Sequence, residues 1–231
     1  MENIEDVVER LNDWNAEGRF AEVSAEISTL LTTVNDDDDV DDVASVYVLK
    51  GNAEYGLGRF EDALKSYAQA IELDTFNVEA RCNYGSTLYT LGRYVDALNA
   101  CDAAILTDEN FSPAYINVAH CLVALKHEEE AIYALQQAFS IDANDPELGR
   151  TVADMAADLD NFDVALNAYI ETALLPNTQE DIFQATYNMF QKFKSSEDVT
   201  KNEWTDGINT WRTKFPTNPE VIRLAGELLR G

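Results

Sequence analysis

The sequence predicts an all-α fold built from stacked antiparallel helix pairs. Three observations carry the prediction: a period of 34 residues, helical spacing of apolar and small side chains within each period, and turn chemistry at the same place in each. Shifting the chain by 34 superposes Gly51, Gly85, Ala119 and Ala153. The same shift aligns Leu57, Leu91, Leu125 and Leu159, and also Ala63, Ala97, Ala131 and Ala165. Tyr67, Cys101, Leu135 and Tyr169 share another register, and Ala70, Ala104, Ala138 and Thr172 a third. Phe60, Tyr94 and Phe162 align as well, with Glu128 as the exception.

The first helix of each period carries its small and apolar residues at helical spacing, as at Tyr84, Gly85, Leu88 and Leu91. A turn follows at Leu57-Gly58-Arg59-Phe60 and at Leu91-Gly92-Arg93-Tyr94, where glycine suits a left-handed helix end. The second helix sets Ala63, Tyr67, Ala70 and Ile71 on one face. Gly51 and Ala63 are expected to let paired helices approach closely, with Tyr67 filling space between units. Pro113 after Ser112 and Pro146 after Asp145 mark helix starts, where a missing N–H costs nothing and Ser or Asp can cap.

This pattern of Tyr47, Gly51, Ala63, Tyr67 and Ala70 resembles the tetratricopeptide repeat. Four units fit, at 44–77, 78–111, 112–145 and 146–176. Lys50 and Glu54 depart from the pattern, which prefers apolar residues there, and Thr75, Glu109 and Ala143 replace a usual proline. Flanking segments read as divergent members of the array: a helix pair at 1–34, an acidic loop at 35–43, a pair at 177–216 and a capping helix at 217–231. Gly18-Arg19-Phe20 echoes Gly58-Arg59-Phe60 at an offset of 40, the surplus of six lying in the acidic stretch. The terminal pair should comprise helices 179–193 and 202–214, joined through Ser195-Ser196-Glu197-Asp198. A polar-faced last helix covers the apolar end that a stacked array would otherwise expose. The resemblance implies one domain, a right-handed superhelical solenoid.

Composition narrows the function classes. The 231 residues carry 43 acidic and 16 basic side chains, a formal net charge of −27. Such a surface repels nucleic-acid phosphate, disfavours anionic membranes, and attracts basic proteins or peptides. No run approaches the roughly 18 apolar residues that read as a membrane span, and no apolar region follows the acidic start, so a cytoplasmic protein is expected. Three widely spaced cysteines (Cys82, Cys101 and Cys121) read as reduced thiols. With two histidines, no Cys-x-x-Cys, no His-Glu-x-x-His and no glycine-rich phosphate loop, no metal, cofactor or catalytic centre is expected. His120 and Cys121 are sequence neighbours, so on a helix they point apart.

Binding is therefore the expected role, as an adaptor or scaffold for a protein or peptide. The alternatives are a chaperone or co-chaperone holding a client, and self-assembly into a homo-oligomeric scaffold. The resemblance implies that the first helix of each pair lines a concave groove. Through the 34-residue register this nominates Asn52 and Tyr55, then Cys82, Asn83, Ser86 and Tyr89, then Asn117 and His120, then Arg150 and Asp154. Asn83 and Asn117 stand one period apart and are expected to stack as a ladder pairing with an extended backbone. Asn52 and Asn83 also match asparagines of co-chaperones that grip acidic C-termini, but Val48, Pro113 and Asn117 occupy the places of the basic partners, so that role is not expected. The aspartates at 36–42 lack the spaced ligands and glycine of a calcium loop. Phe183, Tyr187, Phe190, Phe193, Trp204, Trp211 and Phe215 are expected to form the core of the last units, with Trp204 the candidate for an exposed anchor.

Overall fold

The computed structural model describes residues 4–34, 39–176, 179–194, 196 and 198–230, with side chains 5, 179 and 180 left aside. Among the described residues the chain is all-α, with thirteen helices and no strand. Two compact units divide it, Met1–His127 and Glu128–Gly231, and the boundary falls inside the span 112–145 expected as one repeat.

The first unit holds α1 (Ile4–Ala16), α2 (Phe20–Leu30), α3 (Val40–Gly56), α4 (Phe60–Leu73), α5 (Val78–Thr90), α6 (Tyr94–Thr107) and α7 (Ser112–Ala124). Each helix packs on its neighbours in chain order, and α3 also contacts α1 and α5. Close approach is visible at the small residues. A Cβ added at Gly51 would lie 2.5 Å from the Tyr67 ring, and one at Gly85 would lie 2.5 Å from Cys101 Sγ. These two pairs are the same contact one period apart. Val7, Leu11, Val23 and Ile27 of the first helix pair pack with Val46, Leu49 and Ala53 of α3.

The turns repeat with the period. Gly18, Gly58 and Gly92 are left-handed, with φ of 74°, 73° and 75°. Lys126 (φ 68°) and Asp160 (φ 56°) adopt the same conformation without glycine, at places 34 and 68 residues beyond Gly92. In all five turns the next N–H donates to the carbonyl five residues back, from Arg19, Arg59, Arg93, His127 and Asn161, at 2.8–2.9 Å. This bond closes the helix end and holds even where a side chain must accept the strained φ.

Two expected boundaries shift. Asp39 caps α3 by accepting from Asp41 N–H at 2.9 Å, and Asp41 and Asp42 sit in its first turn. Those carboxylates face the positive end of the helix dipole, so the expected loop at 35–43 ends by residue 39; residues 35–38 lie outside the described residues. Ser112 does not cap α7 but is its first residue, with Phe111 at the cap position and Pro113 in the first turn. Asp145 does cap α9, accepting from Glu147 and Leu148 N–H.

The second unit holds α8 (Glu128–Ile141), α9 (Pro146–Asp158), α10 (Phe162–Leu174), α11 (Gln179–Phe193), α12 (Lys201–Lys214) and α13 (Pro219–Arg230). The α11–α12 link expected at 195–198 falls partly on residues 195 and 197, outside the described residues. Phe183, Phe190, Phe193 and Trp211 are at most 1% exposed and form this unit's aromatic core. Trp204 is buried rather than exposed: its indole Nε1–H donates to the Phe190 carbonyl at 2.8 Å, so it is no surface anchor. Helix α13 lays Val221, Leu224, Ala225 and Leu228 inward, against α11 and α12.

Candidate functional site

Four of the nominated residues meet in one cleft of the first unit. Asn52 and Tyr55 of α3 and Asn83 and Ser86 of α5 line a space of about 240 Å³. Spacings of three along each helix place the paired side chains on one face. Phe20, Gly56 and Tyr67 complete the lining. Sequence reasoning assigned none of these three to the site. The α2 ring fits because Gly56 has no side chain; a Cβ there would strike Phe20 at 2.5 Å.

A chain of hydrogen bonds fixes the cleft's polarity. Asn83 Nδ2 donates to Asn52 Oδ1 at 3.1 Å and more weakly to Glu79 Oε1 at 3.4 Å. Tyr67 O–H donates to the same Asn52 Oδ1 at 2.7 Å. A carboxylate only accepts, so Glu79 sets which end of the Asn83 amide faces it, and Asn83 in turn sets the Asn52 amide. Asn52 Nδ2, a donor, and Asn83 Oδ1, an acceptor, are left without a partner among the described residues. Burial, and then the charge of Glu79, pushes the Tyr67 phenol up, so it stays a proton donor across the physiological range.

The aromatic groups beside the cleft follow the period. Tyr55 meets Phe60 edge-on at 5.2 Å, and its hydroxyl shares a 3.0 Å hydrogen bond with Thr90. One period on, Tyr89 packs against Tyr94 at 5.4 Å and against His120 at 5.8 Å. Burial lowers the His120 pKa, so its imidazole is neutral at pH 7.

Asn83 and Asn117 do not bond to each other; each donates to a residue of the preceding first helix. Asn83 bonds back to Asn52, whereas Asn117 Nδ2 donates to Cys82 Sγ at 3.1 Å. Each amide reaches the preceding unit, across 31 residues for Asn83 and 35 for Asn117. Cys82 does not offer its side chain to a groove: it is 3% exposed beside Ala104 and Ala114, and burial pushes its thiol up to about 11. Arg150 and Asp154 belong to the second unit. They pair with each other at 3.6 Å, and Tyr169 O–H donates to Asp154 Oδ1 at 2.5 Å. That bond is the Tyr67–Asn52 bond three periods later.

Cys101 and Cys121 are fully buried, and a hydrogen bond to Cys121 together with burial holds the Cys101 thiol well above its usual range. Among the described residues no cluster of three or more His, Cys, Asp or Glu is placed to hold a metal ion. No described helix is long and apolar enough to cross a membrane.

Comparison with known proteins agrees with this fold. Two tetratricopeptide repeat family models match, over residues 48–115 and 88–155. No match to a curated protein sequence was found. Among solved structures, PilF of Pseudomonas aeruginosa aligns with a TM-score of 0.65 at 15% identity, over 97% of each chain. TTC0263, a TPR protein of Thermus thermophilus, aligns at 0.53 and 17%, over 81% of this chain and 100% of that one. YrrB, a TPR protein with an unusual peptide-binding site, aligns at 0.51 and 20%, over 78% and 90%. At these identities the likeness speaks to fold. The periodic turns, the small-residue contacts and the two family matches make the chain a tetratricopeptide repeat protein, with its repeats matched over residues 48–155.

Proposed function

We propose that the protein is an interaction scaffold that takes an extended segment of a partner in the first unit, across the face formed by α3, α5 and α7. The observation that carries this reading is the fixed polarity of the cleft. Asn52 Nδ2 and Asn83 Oδ1 leave one donor and one acceptor open on the two bonded amides, the complement of a peptide C=O and N–H. Ser86 shares the cleft, and Tyr89, Asn117 and His120 extend the recognition face beyond it. The exposed Tyr55 ring (37%) supplies a rigid apolar surface at little entropic cost.

The excess of acidic side chains favours a basic segment, through faster steered encounter. Three buried, unbridged cysteines fit a reducing compartment, the cytoplasm. A peptide-binding site is present in YrrB, which shares the fold.

Site-specific photocrosslinking tests the reading. A benzophenone amino acid replaces Tyr55 at the cleft or Val95, which is 60% exposed on α6. The reading expects a defined partner to crosslink from position 55 and not from 95. Crosslinking from 95 alone moves the site to another surface. A smear of many clients indicates a chaperone, and crosslinks to a second copy of this chain indicate self-assembly.

A further inference from the structure

We infer that the cleft of the first unit receives one aromatic side chain of the partner segment, beside Tyr55, where the next repeat supplies a ring of its own. The inference rests on the segment-binding reading and names the side chain that the segment must present.

The period shows what the cleft lacks. Tyr55 and Tyr89 stand 34 residues apart, and so do the rings they meet across the turn, Phe60 and Tyr94. Tyr89 meets a further ring, that of His120 on the following first helix, at 5.8 Å. The residue 34 before His120 is Ser86, which lines the cleft with Tyr55 but carries no ring. The cleft thus opens at the place where, one period later, the chain itself sets an aromatic group. That later ring is uncharged, since burial lowers the His120 pKa.

The lining suits the same class of occupant. Phe20, Tyr55 and Tyr67 bring three rings to the space, and a further ring gains edge-on or offset contacts beyond the burial of its area. Asn52, Asn83 and Ser86 are polar but carry no charge, so a charged head entering here would lose water and gain no counter-charge. The volume of about 240 Å³ lies below the roughly 300–1,000 Å³ of sites that enclose a whole small molecule, so it fits a side chain better than a free metabolite. The open donor of Asn52 and acceptor of Asn83 remain for the backbone of the segment that carries the ring.

The test uses three blocked amino acids, N-acetyl-tyrosine amide, N-acetyl-leucine amide and N-acetyl-arginine amide, titrated into the full-length protein. The readout is the side-chain amide resonances of Asn52 and Asn83 and the ring resonances of Tyr55. The tyrosine derivative should shift them saturably and bind about two- to tenfold more tightly than the leucine derivative, the advantage of a ring–ring contact. The arginine derivative should bind less tightly than the tyrosine derivative. Ser86→His places the next repeat's ring in the cleft, and should abolish binding of the tyrosine derivative while the helical spectrum stays unchanged. If the tyrosine derivative fails to shift the cleft, or either other derivative binds as tightly, the inference is overturned. A folded Ser86→His variant that binds it as wild type does also overturns the inference, and the wild-type titrations decide alone if that variant does not fold. A defined partner that crosslinks from position 55 would leave the segment-binding reading standing after any of these failures.

Discussion

Replacing Glu54 and Ser66 with the residues found one period later tests whether the repeats share one packing plan. Glu54 is 7% exposed and Ser66 is 3% exposed, and the Ser66 hydroxyl donates to Glu54 Oε2 at 2.6 Å. Thirty-four residues on, Leu88 and Ala100 fill the same two places with an apolar contact. The polar pair thus substitutes for a hydrophobic one, and its halves depend on each other. Ser66→Ala alone strands the buried carboxylate and should cost about 1.5–3 kcal/mol, the range for a hydrogen bond to a charged group. Glu54→Leu alone should be near neutral or stabilising, because leucine gains apolar burial and the serine hydroxyl can turn to its own helix backbone. In the Glu54→Leu background, Ser66→Ala should then cost almost nothing. Urea unfolding of the four variants, followed by helical circular dichroism, gives the coupling directly. If Ser66→Ala costs the same in both backgrounds, the two residues are independent and the paired-substitution argument fails.

Further outcomes follow from single features. Lys126→Gly should raise stability by about 0.5–1 kcal/mol, since relief of the left-handed strain outweighs glycine's added chain entropy; a lower unfolding midpoint would contradict this. Gly85→Ala should destabilise by about 1–3 kcal/mol, because the new Cβ would lie 2.5 Å from Cys101 Sγ and 3.2 Å from the Ala97 carbonyl. The burial-lowered pKa of His120 makes the native state bind fewer protons than the unfolded chain. Stability from this residue is therefore complete above its ordinary value of 6.5 and declines as pH falls below it, and His120→Asn should flatten that part of a pH series of unfolding curves. Removing residues 219–231 should cause aggregation detectable by light scattering, because Val221, Leu224, Ala225 and Leu228 would no longer cover α11 and α12.

The repeating parts of the molecule were legible because each is enforced by a local rule that recurs. The glycine turns at 58 and 92, the Gly51–Tyr67 contact and the Asp145 cap can all be read from residue types. The matching turns at Lys126 and Asp160 were visible only through the period, since neither residue announces a positive φ. Helix α3 begins earlier than expected because aspartates that look like a solvated loop also suit a helix start. Within the site, Asn52, Tyr55, Asn83 and Ser86 were found because register decides which helix face a residue occupies. Register does not say which side chains reach one another, so the Asn83–Asn52 and Asn117–Cys82 bonds could not be read from the sequence. Phe20 was missed because its place in the lining depends on a contact across helix pairs. The smallness of Gly56, opposite an aromatic residue at the echoing turn, was the one available hint.

The central claim is that the Asn52–Asn83 pair holds the partner's backbone. Calorimetric titration of Asn52→Ala/Asn83→Ala with the partner that crosslinks at position 55 tests it most directly. Each lost hydrogen bond is worth about 0.5–1.5 kcal/mol net, so affinity should fall by about five- to a hundredfold. The double variant also strands the Tyr67 hydroxyl, so its helical spectrum and unfolding midpoint must first show that it is folded at the titration temperature. A folded double variant that binds with wild-type affinity would contradict the claim and remove the cleft from recognition.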